Sequence, residues 1–161
     1  MTPAVTSLKK AAVAFTMHRY NAGIFAETDE DGSYGERVAS AVGLAPERVF
    51  KTLIAVLHNG EMVVAIVPVD RLLDLRSLAR AASSKQAKMA DPGQAEKATG
   101  YVTGGISPFG QKQSLRIYVD RSAASFASVC VSGGRRGLQL ELSPGDLIEF
   151  TRATVADLTR G

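Results

Sequence analysis

Cysteine is nearly missing from this chain: Cys130 is the one thiol in 161 residues, so neither an intrachain disulfide framework nor a cysteine-based zinc site can form. That usage fits a reducing cytoplasm. Histidine is almost as scarce, with His18 and His58 far apart, and neither HExxH nor any other metal-ligand spacing occurs. No window reaches the roughly 18 apolar residues that a membrane span needs. The N-terminal MTPAVTSLKKAAVAF also lacks the unbroken apolar core of a signal peptide. A soluble, cytoplasmic protein is therefore expected. The G-K-[ST] and G-x-G-x-x-G spacings are absent too, so a triphosphate or nicotinamide reading would rest on glycine content alone. Charge of either sign is modest. Lys and Arg number 19 against 16 Asp and Glu, an excess that would assist a polyanionic partner without resembling a basic tail.

With 45% hydrophobic residues, the chain can bury one good core and is too short for two, which predicts a single domain over residues 1–161. Thr2-Pro3 predicts a helix start, and Phe15 to Tyr20 reads as a strand. Asn21 to Gly32 reads as a polar loop, after which Ser33 and Glu36 have capping-box spacing ahead of Val38, Ala41 and Val42. Val49 to Leu57 and Met62 to Val69 form a predicted hairpin through Asn59-Gly60. Asp74 and Asp91 are placed to cap two further helices, with a short strand at Ala87 to Ala90 between them. Leu115 to Asp120, Ser128 to Val131 and Leu138 to Leu142 complete the expected strands, and Ser143-Pro144 begins a last helical turn. Hairpins dominate and βαβ units are irregular, so the predicted class is α+β, a mixed, curved sheet with helices outside it.

Two loops stand out by composition. Thr99 to Gly110 places four glycines, Pro108 and small hydroxyls around Tyr101 and Phe109; Val131 to Gly137 repeats the idea with Arg135 and Arg136. Exposed amides beside guanidinium forks suit a phosphate or carboxylate, although each loop alone is equally a plain turn. Lys51 sits in an otherwise apolar strand, on the face of Val49, Leu53 and Ala55; it either snorkels to water or binds an anion. Thr52 faces the other way and is equally a simple β-former. Cys130 reads as a small buried hydrophobe and His18 as a satisfied strand residue, while Asp91, Asp120 and Asp146 are explained by capping. No protein nucleophile, metal centre or general-base triad is evident. Chemistry here would proceed by positioning and electrostatics.

The order MTPAV, Tyr20, Val49-Phe50-Lys51-Thr52-Leu53, Met89-Ala90-Asp91-Pro92, the Thr99–Lys112 loop and Val131–Leu138 resembles the YbaK family of aminoacyl-tRNA deacylases, relatives of the prolyl-tRNA synthetase editing domain. The resemblance covers nearly the whole chain and looks closest to the Cys-tRNA(Pro) deacylases. It implies a barrel-like mixed sheet, no cofactor, and removal in trans of cysteine mischarged on tRNA(Pro), in a transient complex with prolyl-tRNA synthetase. It further implies that the substrate's own thiol attacks its ester. Lys51 then matches the lysine at the terminal phosphate or reacting ester, with substrate contacts from Tyr20, Thr52, Gly104, Gly105, Ile106, Ser132, Gly133 and Gly134. Gln139 departs from the aspartate that relatives often carry. Deacylation of Ala-tRNA(Pro) or another small mischarged residue, and a non-catalytic tRNA- or synthetase-binding module, are the alternatives.

Overall fold

Local capping chemistry sets most of the helix starts. In the computed structural model, which describes residues 1–21 and 34–161, α1 spans Pro3–Lys10, and Thr2 Oγ1 accepts from the Val5 amide at 3.3 Å. β1 is Thr16–Arg19 and α2 is Tyr34–Val42. The Ser33 cap and almost all of the loop expected over Asn21 to Gly32 lie outside the described residues. β2 (Phe50–Leu57) and β3 (Met62–Pro68) form the expected hairpin; Asn59 Oδ1 accepts from the Glu61 amide at 2.9 Å, and Gly60 supplies the positive φ of the turn. β4 (Leu72–Leu73) leads into α3 (Leu75–Ala81), capped by Asp74, and β5 (Ala87–Met89) leads into α4 (Pro92–Thr99), capped by Asp91. β6 (Arg116–Asp120), β7 (Val129–Ser132), β8 (Leu138–Leu142), α5 (Pro144–Thr151), β9 (Thr154–Ala156) and β10 (Thr159–Arg160) complete the chain. One of the expected aspartate caps needs correction, and another does more than cap. Asp146 lies inside the first turn of α5, where its amide donates to the true cap, Ser143 Oγ, at 3.1 Å. Asp120 does cap a 3-10 turn, but it also accepts from the Leu158 amide at 2.9 Å and so ties down the C-terminal segment.

The strands form a five-stranded sheet in the order β5-β2-β3-β6-β9, a three-stranded sheet β1-β8-β7 and a small pair β10-β4. Pairing is antiparallel across β5-β2-β3 and parallel across β3-β6-β9, so the sheet is mixed as expected. Among the described residues the sheets remain distinct and do not close into one barrel. Strand alternation divides β2 between two cores. Phe50 and Ile54 pack with Val64, Ile66, Val119 and Leu140, whereas Ala55 and Leu57 pack with Val63, Ala65 and Leu78.

One irregularity of β2 positions the site. Its first edge runs along β3, but its second edge pairs with β5 only over Ala55–Leu57, and an isolated bridge joins Val49 to Cys130 of the three-stranded sheet. Ala90 donates to Ile54 O at 3.0 Å where the chain leaves that edge. Between this bond and the bridge no described strand pairs with that second edge of β2. The two sheets therefore part around Thr52.

Candidate active site

The gap between the sheets is a cavity of about 550 Å³. Val49 and, from β2, Phe50 to Ile54 form its floor. Tyr34 and Val38 of α2, Thr103, Gly104 and Ile106 of the first glycine loop, Ser132 of β7 and Gln139 of β8 rise around it. Apolar walls with a few convergent polar groups are the usual composition of a small-molecule site. Ladder alternation aims the main chain as well. Val69 donates to Val49 O and Leu57 donates to Glu61 O, so odd-numbered residues of β2 bond to β3 and even-numbered ones point to the other edge. The amide and carbonyl of Thr52 accordingly face the gap.

Two side chains carry the clearest signal. Thr52 is 8% exposed and Gln139 is 7% exposed, yet neither Thr52 Oγ1 nor Gln139 Oε1 has a hydrogen-bond partner among the described residues. Buried polar atoms are nearly always paired, and leaving one unpaired costs about 1–3 kcal/mol. Both atoms belong to residues lining the same cavity. Ser132, paired across the ladder with Gln139, also lines it, and its Oγ accepts from the Gly134 amide at 3.2 Å. Lys51, half-buried at the start of β2, adds an ammonium to this otherwise neutral set.

The glycine loops need their glycines because they lean on each other. Gly104 has φ +88, and a Cβ there would lie 2.5 Å from Arg136 Nε; a Cβ on Gly105 would lie 2.8 Å from Arg135 Cα. The first loop thus docks on the second, and the Arg136 guanidinium sits 4.8 Å from the centre of the Tyr34 ring in a cation–π contact. Tyr101 and Phe109 are core residues: the Tyr101 hydroxyl donates to Phe109 O at 2.6 Å, and burial pushes its pKa up to about 12.

Of the residues singled out from the sequence, Lys51, Thr52, Gly104, Ile106 and Ser132 meet in the cavity. Tyr20 packs against the apolar cluster that includes Tyr34, Val38 and Val49 and is not itself in the lining, and Gly105, Gly133 and Gly134 lie in the loop backbones rather than in the lining. Tyr34 was not found from sequence, and Arg136, expected there as a fork for an anion, packs on the Tyr34 ring. Their meeting depends on how α2 crosses the second loop, which no local spacing encodes.

A second polar cluster lies one step along the same strands. His18 Nε2 is 2.7 Å from Glu141 Oε1, Ser128 Oγ donates to Glu141 Oε2 at 2.5 Å, and Arg48 Nη2 is 3.5 Å from that oxygen. Hydrogen bonds from Ser128 and then His18 hold the Glu141 carboxyl below its ordinary value. The donor atoms of His18, Cys130 and Glu141 lie within 4.8 Å of one another, close enough for a metal. They are committed otherwise: burial, with Glu141 adding to it, pushes the Cys130 thiol up to about 12, and Glu141 already accepts from its neighbours.

Comparison with known proteins places this geometry. The family model of the aminoacyl-tRNA editing domain matches residues 29–150. EbsC of Enterococcus faecalis, a proposed Cys-tRNA(Pro)/Cys-tRNA(Cys) deacylase, is 37% identical over 130 residues, which span 81% of this chain and 79% of EbsC. The proline–tRNA ligase of Moorella thermoacetica is 27% identical over 122 residues, 75% of this chain but 21% of that enzyme. A crystal structure described as a proposed trans-editing enzyme for prolyl-tRNA synthetase superposes with a TM-score of 0.84 at 23% identity, covering 99% of this chain and 96% of the other.

Proposed function

Because the chain belongs to the aminoacyl-tRNA editing domain family and is an aminoacyl-tRNA deacylase, we propose that it removes cysteine mischarged on tRNA(Pro), acting in trans as a single free-standing domain. The observation that carries this reading is the cavity lining. Among the described lining residues there are hydroxyls, an amide and one ammonium, but no cysteine, histidine or carboxylate that could form a nucleophile–base pair. A substrate that brings its own nucleophile suits such a site. The cysteine sulfur attacks the ester carbonyl carbon, the bond from that carbon to the ribose oxygen breaks, and the thiol proton ends on the ribose hydroxyl. The thiolactone released then hydrolyses. Lys51 stabilises negative charge on the ester oxygen or the terminal phosphate, Thr52 and Ser132 hold the aminoacyl group by their hydroxyls, and the main chain at Gly104 closes the pocket over it. Similarity to part of a proline–tRNA ligase supports tRNA(Pro) as the carrier and the synthetase as a transient partner. No described helix is long and apolar enough to cross a membrane.

The deciding experiment is a paired single-turnover comparison of Cys-tRNA(Pro) and Ser-tRNA(Pro) at saturating protein. Serine keeps nearly the same size and replaces the thiol by a far weaker nucleophile. The serine ester is expected to bind comparably and react many-fold more slowly, and the cysteine product to pass through a thiolactone. Equal rates would mean that the protein activates water. Release of alanine in preference to cysteine from a panel of charged tRNA(Pro) would replace the cysteine assignment.

A further inference from the structure

A second cleft, of about 440 Å³, opens between α3 and the segment that leads into β5. Arg76 and Arg80 line it from α3, four residues apart and so on one helix face, and Lys85 lines it from the following turn. The Ser84 hydroxyl fixes that turn: it accepts from the His58 amide at 3.1 Å and donates to Gln86 O at 3.0 Å. All three cations are exposed, and none forms an ion pair with a described carboxylate, whereas Arg48, Arg116 and Arg121 each do. Asp74, the nearest acid in the chain, is turned to the Arg76 and Ser77 amides as a helix cap. Three like charges gathered on one concave surface without a counter-charge repel one another, and an anionic ligand would relieve that repulsion.

The cleft is aligned with the cavity. Ala87 lines the cleft and Met89 lines the cavity, and their ladder partners Leu57 and Ala55 lie on the face of β2 that carries Lys51. Six residues of strand separate Lys51 from Leu57, about 20 Å. That is too far for the terminal nucleotide and suited to the backbone preceding it. We infer that Arg76, Arg80 and Lys85 bind backbone phosphates in the acceptor arm of the RNA whose aminoacylated end enters the cavity, an inference that rests on the tRNA substrate proposed above. The test compares R76Q/R80Q/K85Q with a control, K9Q/K10Q/R152Q, that removes three exposed cations elsewhere. Binding of uncharged tRNA(Pro) transcript is measured over a salt series, and deacylation of cysteinyl-adenosine, which has no acceptor arm, is measured beside it. The cleft variant is expected to bind the transcript about 10-fold or more weakly, with a salt slope reduced by about 3. Its rate on cysteinyl-adenosine should be unchanged. An unaltered affinity and slope, or an equal loss in the control, overturns the assignment. If the wild type binds the transcript with the expected slope but releases no cysteine, the substrate reading fails while the cleft stands.

Discussion

Two neighbouring rows of the same sheet face teach opposite lessons. Cys130 and Glu141 pair across β7 and β8, and His18, in register with Gln139 on β1, reaches Glu141 by its side chain; one step further along, Ser132 pairs with Gln139. The first cluster gathers a thiol, a carboxylate and an imidazole, and the carboxylate is already bonded to His18 and Ser128. The second holds a hydroxyl and an amide, and Gln139 Oε1 is buried without a partner. Ionisable residues gathered in one place here build a saturated strut, whereas a neutral pair marks the cavity. An unmet hydrogen bond is thus the better guide to where a ligand goes.

The sharpest break of that comparison concerns Lys51, the one cation among the described lining residues. Lys51→Ala is expected to lower deacylation by roughly 10²–10³-fold, as losing one preorganised electrostatic contact does, with thermal unfolding little changed. Lys51→Arg should recover only part of the rate, because a planar fork places charge differently from a compact ammonium. Single-turnover rates with charged tRNA, taken beside melting curves, check this. Near-normal turnover by folded Lys51→Ala would remove the residue from the mechanism.

Next in size are the unpartnered atoms. Thr52→Val and Gln139→Met keep approximate shape and remove a buried polar group, so each should leave stability unchanged or raise it by up to about 1 kcal/mol. Each should also slow deacylation by about 10-fold, the loss of one neutral hydrogen bond made to the reacting substrate. Stability falling together with rate would make these residues structural. Such an effect could not have been foreseen from spacing alone. The caps at Thr2, Asp74 and Asp91, the Asn59-Gly60 hairpin and the odd lysine in β2 were legible because each is settled within a few residues. The parallel pairing of β6 with β3 and with β9 joins segments far apart in sequence, and no local pattern specifies it. Gln139 gains its meaning from facing Ser132 across a ladder and from the gap beside β2, both tertiary facts.

The smallest effect on catalysis should come from the saturated row. Glu141→Gln replaces one of the two oxygens that accept from Ser128 and His18 by an amide NH2 and removes the charge beside Arg48, and is expected to cost on the order of 1 kcal/mol, since the pair is only partly shielded from water. The single-turnover rate should be retained, because none of these side chains lines the cavity. The pH dependence follows from the lowered carboxyl. In the unfolded chain Glu141 takes up a proton near its ordinary value of 4.5, whereas in the folded protein the Ser128 and His18 bonds delay that uptake to lower pH. Its stabilising contribution is therefore complete above that ordinary value and is lost as pH falls through the lowered one. Denaturant unfolding of wild type and Glu141→Gln should show a constant stability difference from neutral pH down to about 5, then a shrinking one in more acidic solution. A difference that grew on acidification would give the carboxyl a raised value instead. A variant that stayed stable but lost its rate would turn the strut into part of the site.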